Sequence, residues 1–364
     1  MRIIFAGGGT GGHLYPGLAI ARAMKREDPA VKPFFIGARR GIERTVLPST
    51  EFPHELLDLH PLYRARPWEN WKTLRGAATA WVRLGKIVAD ERPACVVGTG
   101  GYASGLALAY AATHGIPYAV QEQNSFPGLT TKFFSRFARQ VHNGFPEAAY
   151  HLKPGRDTQL FDSGNPVESP PDPRPDRLAA RAAWEFPPVG GRVMLIYGGS
   201  QGSKAINDVV AAWVKSSIPD GLYVIWATGQ NTFADYAQLE SDRVRIRPYL
   251  SPMTDAYSAA DFALSRGGAM ATAELATWGI PPIVVPLPTA AADHQTANAR
   301  ALSAAGAAEF IRQSELTVAS LDKSVRTLLG DASLLEARSV AVLRRARPHA
   351  ATEIARSILD MVNA

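Results

Sequence analysis

Short apolar runs alternate along this chain with stretches in which apolar positions recur every three or four residues. Residues 2–6 (RIIFA), 32–37 (KPFFIG), 94–100 (ACVVGTG), 117–123 (PYAVQEQ) and 138–145 (ARQVHNGF) read as strands in the first half. Residues 192–199 (RVMLIYGG), 222–229 (LYVIWATG), 243–250 (RVRIRPYL), 260–266 (ADFALSR) and 281–288 (PPIVVPLP) read the same way in the second. Helical patterns fill the intervals. This alternation predicts parallel sheets with crossover helices, an α/β fold. The pattern also echoes itself. RIIFAGGGTGGHLYPGLAIARAM opens the first half, and RVMLIYGGSQGSKAINDVVAAWV opens the material after residue 191. Each is a strand, a glycine-rich turn with a hydroxyl residue, and a helix, as two doubly wound domains in tandem would produce.

The stretch between the halves, GNPVESPPDPRPDR, carries five prolines within Pro166–Pro175. Proline cannot continue a helix or a central strand, which places the domain junction here. The expected domains are residues 1–166 and 167–340. Residues 341–364 read as a helical end, broken at Pro348, that packs back on the first domain.

Composition narrows the class. The 364 residues are 46% apolar and 20% charged, which suits two globular domains with real cores. The single cysteine, Cys95, excludes a disulfide framework and a cysteine-based zinc site, and a reducing compartment fits it. Within the run ACVVG it reads as a buried strand residue. The chain starts directly on a strand pattern, so no secretory signal is expected. Residues 96–120 contain no Asp, Glu, Lys or Arg and are long enough to span a bilayer. Their glycines and Pro117 instead divide them into strand, loop, helix, turn and strand.

The net charge of +6 reads either as a mildly basic surface or, more sharply, as a sign of an anionic partner: nucleic acid, acidic lipid or a phosphorylated substrate. Residues 59–86 sharpen that expectation. Trp68, Trp71, Trp81, Leu62 and Leu74 interleave there with Arg64, Arg66, Lys72, Arg75, Arg83 and Lys86, opposed only by Glu69. Basic and aromatic residues together fit the interface of an anionic membrane. An amphipathic helix with a solvated basic face is the plainer reading of the same pattern.

Chemistry gathers in the loops after the strands. A strand, a glycine loop and a helix bring backbone N–H groups toward a phosphate. GGGTGGH (7–13) is neither a dinucleotide fingerprint nor a P-loop, and it carries Thr10 and His13. His13 has little apolar material around it to bury it, and an unperturbed pKa of about 6.5 suits a general base. GTGGYASG (98–105) and QEQNSFPGLTTK (121–132) follow two more strands and supply Tyr102, Glu122 and Asn124. In the second half, GGSQGSKAIN (198–207) offers N–H donors and Ser200. SRGGAMATAELATWG (265–279) begins a helix on two glycines, which suits a diphosphate, with Glu274 one turn in, placed for ribose hydroxyls. Asp293 and Gln295 follow a proline-rich loop and fit sugar hydroxyls. Together these features favour a nucleotide-sugar site. No Asp-x-Asp pair and no His/Glu ligand pair at helical spacing occurs, so no dedicated metal site is expected.

In this order the motifs resemble the MurG family, the bacterial transferases that add N-acetylglucosamine to the lipid-linked muramyl-pentapeptide precursor of peptidoglycan. The matching runs are GGGTGGHLYPGLAIA, GARRGIE, GTGGYASG, QEQNSFPGLTTK, SGNPV, GGSQGSKAIN, YLSPM, SRGGAMATAE and DHQTANA, spread from residue 6 to residue 299. The resemblance implies a GT-B fold, with two Rossmann-like doubly wound domains facing across a cleft. It implies UDP-N-acetylglucosamine on the second domain and the undecaprenyl-diphosphate-linked acceptor on the first. It also implies docking on the cytoplasmic face of the bacterial cell membrane as a peripheral protein, with no cofactor and no nucleic acid. The family's donor positions fall on Thr10, Gly11, Gly12, Asn124, Ser200, Leu250, Ala269, Met270, Ala271, Thr272, Ala273, Glu274 and Gln295. Its acceptor-side positions fall on His13, Tyr102 and Glu122. Leu250 stands where the backbone beside the uracil is contributed, and Glu274 matches the ribose-binding acid.

One departure stands out. The family usually reads GNPVR, with the arginine associated with the donor diphosphate, and here the run is GNPVE, ending in Glu168. The helix start after Gly268 together with the Ser200 loop, or another cation such as Arg266 or Lys204, is left to serve the diphosphate. The expected reaction is an inverting, metal-independent transfer to the C4 hydroxyl of N-acetylmuramic acid, with His13 as the base and Glu122 as its rival. Two alternatives stay open: another GT-B UDP-sugar enzyme, and a non-catalytic nucleotide-sugar-binding membrane scaffold.

Overall fold

A computed structural model describes residues 1–59, 70–199, 201–216 and 218–364, and the side chains of 70–74 also lie outside that description. The chain forms two compact units, one of Met1–Val167 with His349–Ala364 and one of Glu168–Pro348. The segment that rejoins the first unit therefore starts at His349, after the last helix of the second, Ala332–Arg344.

The first unit is a seven-stranded sheet of β1 (Arg2–Ala6), β2 (Lys32–Ala38), β3 (His54–Leu57), β4 (Cys95–Gly98), β5 (Tyr118–Glu122), β6 (Gln140–Asn143) and β7 (Gln159–Phe161). The spatial order is β3-β2-β1-β4-β5-β6-β7, with every pairing parallel. Successive strand residues point to opposite faces, and both faces are covered, which explains the unbroken apolar runs. Ile4, Ile36, Val96, Val120 and Val141 pack under the helices Asn70–Glu91 and Gly101–Thr113. Ile3, Phe5, Phe35, Val97 and Ala119 pack under Gly11–Glu27 and the returning helix Ala350–Asn363, which buries Ile354, Ile358 and Leu359. Cys95 lies in that second layer, and burial pushes its thiol up to about 12, far from a reactive thiolate.

The second unit repeats the plan with six strands: β8 (Arg192–Tyr197), β9 (Leu222–Ala227), β10 (Val244–Arg247), β11 (Phe262–Ser265), β12 (Pro282–Val284) and β13 (Glu309–Phe310). Their order is β10-β9-β8-β11-β12-β13, again all parallel. Strand direction of travel reverses between β1 and β4 in one sheet and between β8 and β11 in the other. At such switch points, ligands bind beyond the carboxyl ends of the strands.

Three strands were not foreseen: β3, β7 and β13. All are sheet edges, and their residues are mostly half-buried or exposed. They are short and only partly buried, and they carry no apolar run of strand length. Residues 96–120 form β4, a helix and β5, and among the described residues no helix is long and apolar enough to cross a membrane.

Candidate functional site

In the first unit the loops after β1, β4 and β5 interlock. The glycines of GGGTGG serve this packing. A Cβ on Gly7 would lie 1.9 Å from Thr99 Oγ1, one on Gly8 would lie 1.6 Å from Glu43 Oε1, and one on Gly9 would lie 3.1 Å from the Tyr102 ring. Gly9 also has φ +88°, in the left-handed region that favours glycine. Only Gly12 faces open space, with nothing nearer than Thr10 Oγ1 at 3.8 Å.

His13 is half-buried in the first turn of the helix Gly11–Glu27. Its Nδ1 lies 3.1 Å from the Gly8 carbonyl oxygen and 3.3 Å from Thr10 Oγ1. A carbonyl can only accept, so Nδ1–H donates to it and the neutral ring carries its lone pair on Nε2. The ring packs on the turn at Gly100, where an added Cβ would fall 2.6 Å from His13 Cδ2. Thr99 Oγ1 donates to the His13 carbonyl at 2.7 Å, and Gln123 Nε2 donates to the Thr99 carbonyl at 2.8 Å. Asn165 Nδ2 donates to the Gln123 carbonyl at 3.0 Å, so the GNPV run joins the same network.

Glu122 is buried, and both its oxygens are engaged. Oε1 accepts from the Asn124 N–H at 3.0 Å and from Asn124 Nδ2 at 3.2 Å. Oε2 accepts from the Gly128 N–H at 3.1 Å and from Thr131 Oγ1 at 2.6 Å. Four donors hold this carboxylate inside its own loop. The geometry gives it the work of shaping residues 122–131 and orienting Asn124, and sets it against the part of a base.

In the second unit, β11 ends at Ser265, and Gly268 leads into the helix Ala269–Trp278. The first turn of that helix has no acidic residue and no side-chain cap. Its outward N–H groups and positive dipole end suit an anion. Thr272 Oγ1 bonds back to the Gly268 and Ala269 carbonyls, each at 3.1 Å. Ala269 is buried, whereas Met270, Ala271 and Ala273 are half-buried along the helix. Gly267 is crowded by the following segment, since a Cβ there would meet the Gln295 carbonyl oxygen at 2.5 Å. Gln295 Oε1 accepts from the Leu287 N–H at 2.9 Å, which orders the proline-rich loop and leaves the side chain's amino end as the donor. Just ahead of it, Ala292 and Asp293 have φ of +52° and +53°, an uncommon left-handed pair without glycine. Asp293 Oδ1 accepts from Thr296 Oγ1 at 2.6 Å, a contact within the helix start.

Glu274 accepts from the Tyr257 hydroxyl at 2.8 Å. Burial raises its pKa, the Tyr257 hydrogen bond opposes that, and the negative charge of Glu168 adds to the rise. Leu250 is buried in an apolar cluster with Tyr257, so only its backbone is left for a ligand. Ser200 lies outside the described residues, but its neighbours hold the loop's form. Gly202 has φ +74°, and a Cβ there would meet the Thr228 carbonyl oxygen at 2.1 Å. Of the two cations considered for the diphosphate, Lys204 is exposed and paired with Asp208 at 2.9 Å. Arg266 is buried and donates to the Val285 carbonyl at 3.1 Å, the Pro286 carbonyl at 3.0 Å and Ser203 Oγ at 2.6 Å. All three partners are neutral, and desolvation lowers its pKa. Among the described residues no group of three or more His, Cys, Asp or Glu side chains is placed to hold a metal ion.

Models of the glycosyltransferase family 28 N-terminal and C-terminal domains match residues 3–143 and 193–354. Two bacterial proteins named UDP-N-acetylglucosamine--N-acetylmuramyl-(pentapeptide) pyrophosphoryl-undecaprenol N-acetylglucosamine transferase are similar over nearly their whole length. The one from Chlorobaculum parvum is 38% identical, with 99% of each chain covered. The one from Salinibacter ruber is 37% identical, covering 99% of this chain and 97% of its own. The crystal structure of Acinetobacter baumannii MurG superposes with a TM-score of 0.78 at 28% identity, over 99% of both chains. The chain belongs to the MurG family. Its fold is therefore GT-B, and a kitacinnamycin glycosyltransferase with a TM-score of 0.72 at 16% identity shares that fold alone. Against MurG family expectations, Glu43, Thr99, Gln123, Asn165 and Ser203 are the polar residues that the sequence reading left without a part. Several sit inside the quoted runs GARRGIE, GTGGYASG and SGNPV, yet their partners are far away in the chain.

Proposed function

We propose that this chain transfers N-acetylglucosamine from UDP-N-acetylglucosamine to the C4 hydroxyl of undecaprenyl-diphosphate-linked N-acetylmuramyl-pentapeptide, with inversion to a β-1,4 link. The observation that carries this is end-to-end similarity to a transferase of that name at 38% identity, over 99% of both chains. His13 Nε2 takes the acceptor's proton as its C4 oxygen attacks C1 of the sugar. The C1–oxygen bond to the diphosphate breaks, and UDP leaves with the electron pair. N–H groups at the start of the helix Ala269–Trp278 stabilise the charge that develops, and the buried Arg266, whose partners are all neutral, adds a positive charge. Glu274 receives the ribose hydroxyls, Gln295 a sugar hydroxyl, and the Leu250 backbone the uracil edge. Thr10, Gly11, Gly12 and Asn124 are the further donor positions, and Tyr102 is the acceptor position.

The protein acts as a peripheral protein on the cytoplasmic face of the bacterial cell membrane. Leu129, Phe133 and Phe137 support this: they are spaced four apart and are 63%, 58% and 62% exposed. Lys132 and Arg136 lie between them in sequence. Arg136, Phe137, Arg139 and Arg156 line a cavity of about 540 Å³. Most of residues 59–74, which carry the larger share of the basic–aromatic stretch, lie outside the description or have undescribed side chains.

The deciding experiment incubates the purified protein with UDP-N-acetylglucosamine and the lipid-linked muramyl-pentapeptide. The expected result is one UDP released per disaccharide lipid formed. UDP binding without product would overturn the catalytic reading and leave a binding scaffold.

A further inference from the structure

Glu43 begins the short helix Glu43–Val46 that follows β2, and it is completely buried. Its Oε1 accepts from the Gly9 N–H at 2.8 Å and from the Ala38 N–H at 3.1 Å, while Oε2 is buried with no hydrogen-bond partner. Three glycines make room for it. A Cβ on Gly8, Gly37 or Gly41 would come within 1.6, 2.8 or 1.9 Å of its side chain. One glycine of GGGTGG and both glycines of GARRG thus clear space for a single carboxylate. The Gly9 N–H, which sits at the centre of the loop, is taken by that carboxylate.

The Gly9 N–H and the Gly8 carbonyl are the two ends of a single peptide group. Glu43 accepts from one end, and His13 Nδ1–H donates to the other at 3.1 Å. We infer that Glu43 is a positioning residue that acts on His13 through the Gly8–Gly9 peptide, fixing the Nδ1–H tautomer and turning Nε2 toward the acceptor. Planarity keeps the two ends of the peptide locked together. A carboxylate on the N–H makes the carbonyl a better acceptor, because hydrogen bonds in a chain polarise one another. The device does the work of the carboxylate in a carboxylate–histidine pair, with a peptide in between. Among the described contacts, the titratable groups packed on this loop are Glu43, Tyr102 from the helix Gly101–Thr113, and Tyr15 against Gly11.

This inference rests on the reading of His13 as the base, and its test separates the two. Histidine-selective ¹⁵N labelling, with the His13 signal assigned by its loss in His13→Gln, reports the tautomer in the unaltered protein. The Nδ1–H form is expected, and a dominant Nε2–H form would overturn the relay without any variant of Glu43 having to fold. In Glu43→Gln, checked for folding by its thermal midpoint, the His13 pKa is expected to fall. The acid limb of kcat moves to lower pH with it. The kcat falls ~10-fold or more, while the UDP-N-acetylglucosamine Kd stays within about twofold. Unmoved His13 titration in a folded Glu43→Gln would sink the relay alone. Normal turnover in His13→Ala, with His13 titration still responding to Glu43→Gln, would sink the base and keep the relay.

Discussion

Glu168 puts a negative charge where the family resemblance implies a guanidinium, and that charge favours the protonated form of Glu274. In the proposed site Glu274 accepts from ribose hydroxyls best when ionised, so affinity is expected to rise as pH climbs through its pKa. Burial raises that pKa, the Tyr257 hydrogen bond opposes the rise in part, and Glu168 adds to it. Glu168→Arg reverses the last of these effects. The pH at which UDP binding strengthens is expected to move down, and affinity near neutral pH to rise, both measured by calorimetric titration across pH. An unchanged pH dependence would mean that Glu168 exerts no influence on the ribose site. Glu122 offers a contrasting case. Its four donors make it a scaffold, so Glu122→Gln leaves a buried N–H or O–H unmatched. A stability loss of about 1–3 kcal/mol is expected in thermal or urea unfolding. The pH limb of kcat should stay where it is; a shifted limb would return Glu122 to candidacy as the base. Both residues were visible in the sequence as loop acids. Their opposite roles were not, because Gly128 and Thr131 meet Glu122 only once the loop folds back, and Glu168 acts on Glu274 from a distant part of the chain. Glu43 was harder still: it stood in the quoted run GARRGIE, but only the fold brings Gly9 onto it.

At the scale of strands and helices, the sequence was most legible where both faces of a strand are covered. β1, β4, β8 and β11 carry continuous apolar runs and sit mid-sheet, flanking the switch points. The edges β3, β7 and β13 need no such run and left no signal. β6 shows how a central strand can still hold polar residues. It contains His142, whose Nδ1 lies 2.8 Å from Ser163 Oγ and whose Nε2 lies 3.1 Å from Gln140 Oε1. The ring stacks on Phe161, and Gln140 Nε2 donates to the Ser357 carbonyl of the returning helix at 3.0 Å. Burial drives the His142 pKa down to about 3, so the folded protein holds the ring neutral. The unfolded chain binds a proton near pH ~6.5. Stability from this site is therefore complete above that pH and drains away as pH falls toward about 3. His142→Gln removes the titration. Its thermal midpoint should be lower than the parent's at pH 7.5, with the gap narrowing steadily toward pH 4.5. A gap that stays constant with pH would show that His142 does not drive the acid sensitivity of this strand.

Across the whole molecule, the net charge of +6 is not spread evenly over chemically equivalent surface. Many exposed arginines are neutralised locally: Arg83, one of the basic residues of the 59–86 stretch, meets Glu55 at 2.8 and 2.9 Å and is poorly available to lipid. Arg22 and Arg356 are likewise held by Glu51 and Glu27. The Phe133–Phe137 face differs. The two rings lie 6.2 Å apart and exposed, and Lys132 Nζ sits 3.5 Å over the Phe126 ring. Arg136 and Arg139 share a cavity wall with Phe137. Apolar side chains that enter the headgroup boundary and cations that meet anionic lipid belong together in a peripheral contact. Each basic side chain near such a surface contributes ~1 kcal/mol, so reversing two of them costs more than ~10-fold in binding. Arg136→Glu with Arg139→Glu should therefore lose co-sedimentation with phosphatidylglycerol vesicles by at least that factor. The parent should itself release as salt rises, because the attraction is screened within about 10 Å at 0.1 M salt. Phe133→Ser with Phe137→Ser should weaken vesicle binding in a salt-independent way. UDP-N-acetylglucosamine affinity should not move in either pair, since none of these four residues is among the donor positions. Vesicle binding that survives both pairs would move the membrane contact off this face and onto the basic–aromatic stretch at 59–86.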